Sequence, residues 1–145
     1  VLEAELETRA SRGQLGMVRS ARAADEITVL IYLQGQVQGV VLYGMGRHTA
    51  KNIVAKILGQ PFAEFDELAQ SGISELGNVI TGRAGQYLEE AGYCCRISAP
   101  ALVLGKDTLI STLDFDRLYV PIHTDLGDLQ VHLALHEGQP EGAAK

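Results

Sequence analysis

Ser71, Glu75, Asn78 and Gly82 recur at intervals of four, three and four residues, the spacing that keeps side chains on one face of an α-helix. At about 100° per residue they fall within a sector of roughly 60°. Glu75 brings a carboxylate, an acceptor that also pairs with cations. Asn78 brings a carboxamide, which donates and accepts without titrating. Three residues apart, the two groups are neighbours on the helix surface. Solvated helix faces usually carry long charged side chains, whereas Ser and Gly flank this pair and no long cation follows it until Arg83. A large partner can therefore approach both groups closely.

The elements that must hold this face can be read outward from it. Ala69, Ile73, Leu76, Ile80 and Ala84 follow the same period on nearly the opposite side and predict a buried stripe. The helix is expected from near Asp66 to about Glu90, ending at Gly92. Gly72, Gly77, Gly82 and Gly85 each weaken it by up to about 1 kcal/mol relative to Ala, so burial has to hold it in place. A helix before it is expected to start at a Thr49 cap, bury Ala50, Ile53 and Val54, and stop at Gly59 before Pro61. Further upstream, Ile27–Leu33 and Val37–Tyr43 read as strands joined at Gln34-Gly35-Gln36 by a tight type II′ hairpin turn. Thr8–Ser20, punctuated by Gly13 and Gly16, reads as weak strands, Val1–Glu7 as the tail of a helix, and Ala21–Asp25 as a turn. Downstream, Tyr93–Ser98 and Ala101–Leu104 read as strands joined at Pro100. A loop or irregular strand over Gly105–Asp116 then leads to a hairpin of Tyr119–His123 with Leu129–Leu135. Pro121 cannot donate to a ladder, which predicts an edge or a bulge. The order predicts an α+β fold: antiparallel strands with a pair of consecutive helices, the second long and carrying the outer face. One domain is expected over residues 1–137, with a frayed tail over 138–145.

Charge and composition narrow the function. A net charge of −6 in 145 residues argues against nucleic acid and against an anionic membrane surface, and no apolar run approaches the roughly 20 residues of a membrane span. A cytoplasmic setting is expected; Val1 is not an initiator residue, which leaves open a start upstream. Cys94 and Cys95 are adjacent, without CxxC spacing, and read as reduced thiols. Gly44-Met-Gly46-Arg-His-Thr49 lacks the third glycine of a dinucleotide fingerprint and reads as a turn. His132 and His136 stand roughly 13 Å apart along a strand, too far to share a metal. Those two, with His48 and His123, read as solvated, and Asp114 and Asp116 as solvated loop carboxylates. No metal site is expected.

The Ser71–Glu75–Asn78–Gly82 spacing, taken with Gly35-Gln-Val-Gln-Gly39-Val-Val-Leu-Tyr43 before it and Ile97-Ser-Ala-Pro100-Ala-Leu-Val-Leu-Gly105 after it, resembles the CheC/CheX/FliY family of chemotaxis phosphatases. Phe65-Asp66-Glu67-Leu68 and the closing Leu118–Glu137 segment continue the likeness, which covers about Gln34 to Glu137 and lies nearest the CheX branch. The resemblance implies dephosphorylation of the aspartyl phosphate of a CheY-like response regulator. Asn78 would orient the attacking water and Glu75 would pair with the regulator's active-site lysine, with Ser71, Gly82 and Pro100 at the partner surface. It further implies no cofactor of its own, Mg²⁺ carried by the regulator, and a homodimer joined through the sheets. Members often carry a full helix before the first strand, of which at most the tail, Val1–Glu7, is expected in this sequence, the leading helix being truncated or absent. CheC-like members repeat the Glu-xx-Asn pair on that leading helix. No second pair is visible, so one site per chain is expected. The alternative is a non-catalytic signalling or flagellar-switch module that uses the same face only to bind.

Overall fold

Alternation in two β-branched runs sets up the centre of the molecule. The computed structural model describes residues 10–18, 25–105 and 116–138. In it, strands β3 (Ile27–Gly35) and β4 (Val37–Met45) pair antiparallel along their length. Side chains of a strand alternate between faces, so Val29, Ile31 and Leu33 join Val41, Tyr43 and Met45 on one side, in the main core. Leu30, Val40 and Leu42 point to the other side, where they form a second buried cluster with Ala134. Both faces of the central sheet are therefore buried.

The remaining strands are β1 (Ala10–Arg12), β2 (Gly16–Val18), β5 (Cys95–Ile97), β6 (Ala101–Leu104), β7 (Arg117–Thr124) and β8 (Gly127–Glu137). Among the described residues the sheet runs β1-β7-β8-β4-β3-β5, with β2 also on β7 and β6 also on β3. Two consecutive helices, α1 (Arg47–Leu58) and α2 (Glu67–Glu90), cover the face bearing Val29 and Tyr43. Ala50, Ile53 and Val54 of α1 and Ala69, Ile73 and Leu76 of α2 enter the same core. This is the α+β arrangement that the sequence predicts. The expected helical tail at Val1–Glu7, most of the Ala21–Asp25 turn, the Gly105–Asp116 loop apart from its ends, and the tail beyond Gly138 lie outside the described residues.

Several local expectations are corrected. Leu33 stands opposite Gly39, so an odd number of residues separates the paired strands and the connection is no two-residue II′ turn. Its neighbours explain the difference. The Gln36 N–H donates to the Cys94 carbonyl at 2.9 Å, and the Gln36 carbonyl accepts from Gly138 at 2.9 Å. The flanking strands thus hold the turn open from both sides, and Gly35 and Gly39 take positive φ there.

Thr49 does not cap α1. Gly46 is its N-cap, without a side-chain cap, while Gly59 closes the helix in the left-handed region as expected. The carbon added by any side chain at Gly127 would run into Thr49, so this threonine packs under the β7–β8 turn instead.

Of the edge or bulge expected at Pro121, the bulge holds and the edge does not: β8 lies on one side of β7 and β1 and β2 on the other, with residues 13–15 opposite Val120 and Pro121. Pro121 sits opposite the break between those two short strands, where its carbonyl accepts from Gly13 at 2.8 Å. N–H and C=O of one strand residue point the same way, so the donor that proline lacks faces the gap.

His132 is not solvated either. On the sheet face opposite the helices, Arg117 Nε donates to its Nδ1 at 3.1 Å, and the Tyr119 ring lies 5.3 Å from it, centroid to centroid.

Candidate functional site

Helix α2 is tied down at both ends by its own sequence. Asp66 is the N-cap, and its carboxylate accepts from the Ala69 N–H at 2.9 Å, satisfying one of the orphan donors of the first turn. At the other end Tyr93 N–H reaches the Leu88 carbonyl at 2.8 Å and Gly92 N–H reaches Glu89 at 3.0 Å. That 6→1 and 5→2 pair is a Schellman closure, and Gly92 supplies its positive φ of 96°.

Three of the four helical glycines turn out to be contact points. A Cβ at position 72 would lie 3.0 Å from Val54 Cγ1, so α1 and α2 touch there. A Cβ at position 77 would lie 2.9 Å from Val29 Cγ1, so the helix backbone rests on β3. A Cβ at position 85 would lie 3.2 Å from Ile97 Cδ1, on β5. The buried stripe is accordingly Ala69, Ile73, Leu76, Gly77 and Thr81. Ile80 is half-buried, and Ala84, expected inside, is exposed.

Thr81 and Tyr43 are the polar pair that sequence reasoning missed. The Thr81 hydroxyl donates to the Gly77 carbonyl at 2.8 Å and also bonds the Tyr43 hydroxyl at 2.8 Å. Since a threonine has one proton to give, Tyr43 is the donor to Thr81. Burial pushes the Tyr43 hydroxyl above its ordinary value of 10.0, partly offset by the Thr81 bond. The only signal in the sequence is a lone threonine one turn beyond Gly77 and a tyrosine at an inward strand position.

The outer face carries the expected residues. Ser71 and Glu75 are exposed, and Asn78 and Gly82 are half-buried. Nothing lies within 4 Å of where a Gly82 Cβ would be. Among the described residues neither the Glu75 carboxylate nor the Asn78 carboxamide has a hydrogen-bond or ion-pair partner within the fold.

Gly72 marks the α1 side of the helix and Gly85 the β5 side. At about 100° per residue, Asn78 lies within about 20° of Gly85 and turns toward the sheet edge. Glu75 lies about 60° further round, toward α1.

Pro100 belongs to that edge. Leu33 pairs with Ile97 and Leu30 with Ala101, which leaves Ser98, Ala99 and Pro100 opposite Ile31 and Tyr32. One extra residue makes this a β-bulge, held by Ser98 N–H on the Tyr32 carbonyl at 2.9 Å and Tyr32 N–H on Ser98 Oγ at 2.9 Å. Ser71, Glu75, Asn78 and Gly82 thus share one helix face, and half-buried Pro100 stands on the flank toward which Asn78 turns.

Other candidates do not assemble. His123 pairs with Asp128 at 3.1 Å in an exposed contact, and no group of three or more His, Cys, Asp or Glu among the described residues is arranged to hold a metal. No helix among them is long and apolar enough to cross a membrane. Chemically, the α2 face offers a carboxylate, unpaired among the described residues, that can meet a partner's cation and, one turn on, a carboxamide that can donate to or accept from a partner or a water.

Residues 27–123 match the family model for the chemotaxis phosphatase CheX. Over 128 residues the chain is 27% identical to a CheY-P phosphatase CheX of Thermotoga maritima, covering 87% of this chain and 82% of that protein. The fold is similar to a crystal structure of a CheX from Desulfovibrio desulfuricans, with a TM-score of 0.81 and 20% identity, over 93% of this chain and 91% of the other. It is also similar to the CheX of a CheX-CheY-BeF3-Mg²⁺ complex from Borrelia burgdorferi. There the TM-score is 0.77 and the identity 25%, over 94% of this chain and 90% of that one.

Proposed function

Because the chain belongs to the CheX family of chemotaxis phosphatases, we propose that it hydrolyses the aspartyl phosphate of a CheY-like response regulator, with α2 as the catalytic face. The observation that carries this reading is the Glu75–Asn78 pair. Both groups face outward one turn apart, and no described residue of the fold occupies them. The named activity of the Thermotoga relative and the CheY-bound Borrelia relative support it.

An acyl phosphate is already activated, and a regulator brings its own Mg²⁺ and lysine to the phosphoryl group. What such a centre lacks is an in-line water. The Asn78 carboxamide holds that water without titrating, so the contribution is positioning rather than acid–base chemistry. Glu75 pairs with the regulator's lysine and fixes the docking. Ser71 and Gly82 let the partner settle on the helix, and Pro100 borders it. The chain needs no metal of its own, acts in the cytoplasm as a single domain, and pairs with a second copy through its sheet. Hundredfold acceleration requires about 2.7 kcal/mol of barrier lowering, at 1.36 kcal/mol per tenfold, within the reach of one positioned water.

The test is the lifetime of a phosphorylated regulator with Mg²⁺, with and without the protein. Asn78→Ala should keep regulator affinity and lose the acceleration. Glu75→Ala should weaken the affinity. A wild type that binds the regulator without shortening that lifetime would leave a binding module instead of an enzyme.

A further inference from the structure

Directly beneath Asn78 the helix is bound to the sheet by contacts that nothing in the Glu-xx-Asn spacing encodes. Gly77, the preceding residue, is the point where the α2 backbone meets β3, with space for no side chain between it and Val29. Its carbonyl accepts from the buried Thr81 hydroxyl at 2.8 Å, and that hydroxyl accepts in turn from Tyr43 on β4 at 2.8 Å. Thr81 and Tyr43 are 2% and 5% exposed. A hydrogen bond in such a setting is shielded from competing water, and leaving one partner unmet is costly.

The chain Tyr43 O–H to Thr81 O–H to Gly77 C=O therefore fixes the height and rotation of the turn Gly77–Thr81 relative to the sheet. Asn78 is inside that turn. The apolar contacts of Tyr43 in the main core are, by contrast, non-directional. A directional bond supplies what they do not.

We infer that Tyr43 and Thr81 are positioning residues, setting where the Asn78 carboxamide stands when the regulator docks. The inference rests on the proposed phosphatase reading, in which Asn78 works by holding a water in line. Misplacement of such a group by a fraction of an ångström lowers the rate without altering docking, because Glu75 lies outside the turn Gly77–Thr81 that the bonds hold. The Tyr43 hydroxyl, held protonated by burial, remains the donor throughout the neutral range.

Four full-length variants test this under saturating and subsaturating phosphorylated regulator, well below their melting temperatures. Tyr43→Phe should lower kcat by about tenfold with KM unchanged. Thr81→Val should do the same, while Thr81→Ser, which retains the hydroxyl, should restore most of kcat. The double variant Tyr43→Phe/Thr81→Val should be no slower than Thr81→Val alone, since both remove one relay. Wild-type kcat in Tyr43→Phe, or equal losses in Thr81→Ser and Thr81→Val, would overturn the inference. A readout independent of turnover separates it from the proposed function. The Asn78 side-chain NH₂ resonances of the free protein should shift and broaden in Tyr43→Phe and stay near wild type in Thr81→Ser. Unchanged resonances in Tyr43→Phe overturn the positioning role even where the wild type proves to be no phosphatase.

Discussion

Asn52 on α1 and Asn78 on α2 are the same side chain under opposite constraints. Asn52 Nδ2 donates to the Leu126 carbonyl at 3.1 Å and so pins α1 to the β7–β8 turn, whereas the Asn78 carboxamide is left to face outward. Position 49, three before Asn52, is a threonine, so α1 offers no second Glu-xx-Asn pair. His132 shows what burial does to a titrating group away from the site. Burial pushes its imidazole from 6.5 down to about 4, and the Arg117 guanidinium pushes in the same direction. With Arg117 Nε donating to Nδ1, the folded ring is neutral and keeps its proton on Nε2. An unfolded chain takes up a proton near pH 6.5 that the folded chain refuses until about pH 4, so the stability of the fold with its neutral ring is full above pH 6.5 and is lost progressively as pH falls through that window. The melting temperature of the wild type should therefore fall more steeply between pH 6.5 and 4 than that of His132→Gln, whose amide oxygen still accepts from Arg117. Equal slopes would mean that the ring titrates as if in water. The sequence did not reveal this pair, because a histidine on an alternating strand looks the same whether its face is wet or covered. The shared helix face of exposed Glu75 and half-buried Asn78 was legible for the opposite reason: the helix period alone places it.

Glycine distribution decides how α2 behaves as an element. Its apolar period places the inner face correctly at Ala69, Ile73 and Leu76, yet counts Gly77 and Thr81 as outsiders and Ala84 as an insider. Apolar periodicity registers bulk and hydrophobicity, whereas at Gly77 the helix is buried through its backbone and at Thr81 through a satisfied hydroxyl. Small residues along a helix therefore carry two meanings, which burial separates. Gly77→Ala forces a methyl to 2.9 Å from the branched Val29 side chain, and overpacking of this kind costs about 1–3 kcal/mol. Gly82→Ala meets nothing and should stabilise the free protein by up to about 1 kcal/mol through helix propensity. Urea midpoints should move in opposite directions for the two. The same Gly82→Ala protein should bind the phosphorylated regulator more weakly if that face is the docking surface. Unchanged affinity would confine Gly82 to a role in the helix alone. At the bulge, the sequence marked Pro100 as a joint between two strands, but the extra residue follows from the shift in pairing along β3, which one strand's residues cannot specify.

At the scale of the molecule, the two helices occupy one face of the sheet, while Leu30, Val40, Leu42 and Ala134 form a smaller buried cluster on the opposite face. Antiparallel order and the helix pair were legible in the alternation of periods. The neighbours of β7 were not, because the pairing of short strands such as β1 and β2 depends on residues far away in sequence. Pro121 pointed to an interrupted ladder and found it inside the sheet, opposite a gap. This arrangement limits how a second copy and a regulator can be accommodated together. A dimer joined through its sheets leaves both α2 ridges outward, and each chain offers one Glu75–Asn78 pair, with the other helix's asparagine committed to Leu126. Regulator binding should therefore saturate at one regulator per chain in titration calorimetry, whatever the oligomeric state. If the proposed dimer forms, sedimentation of its saturated complex should give two chains with two regulators. A stoichiometry of one regulator per two chains would mean that dimerisation covers one of the α2 faces, and would move the joint from the sheet to the helices.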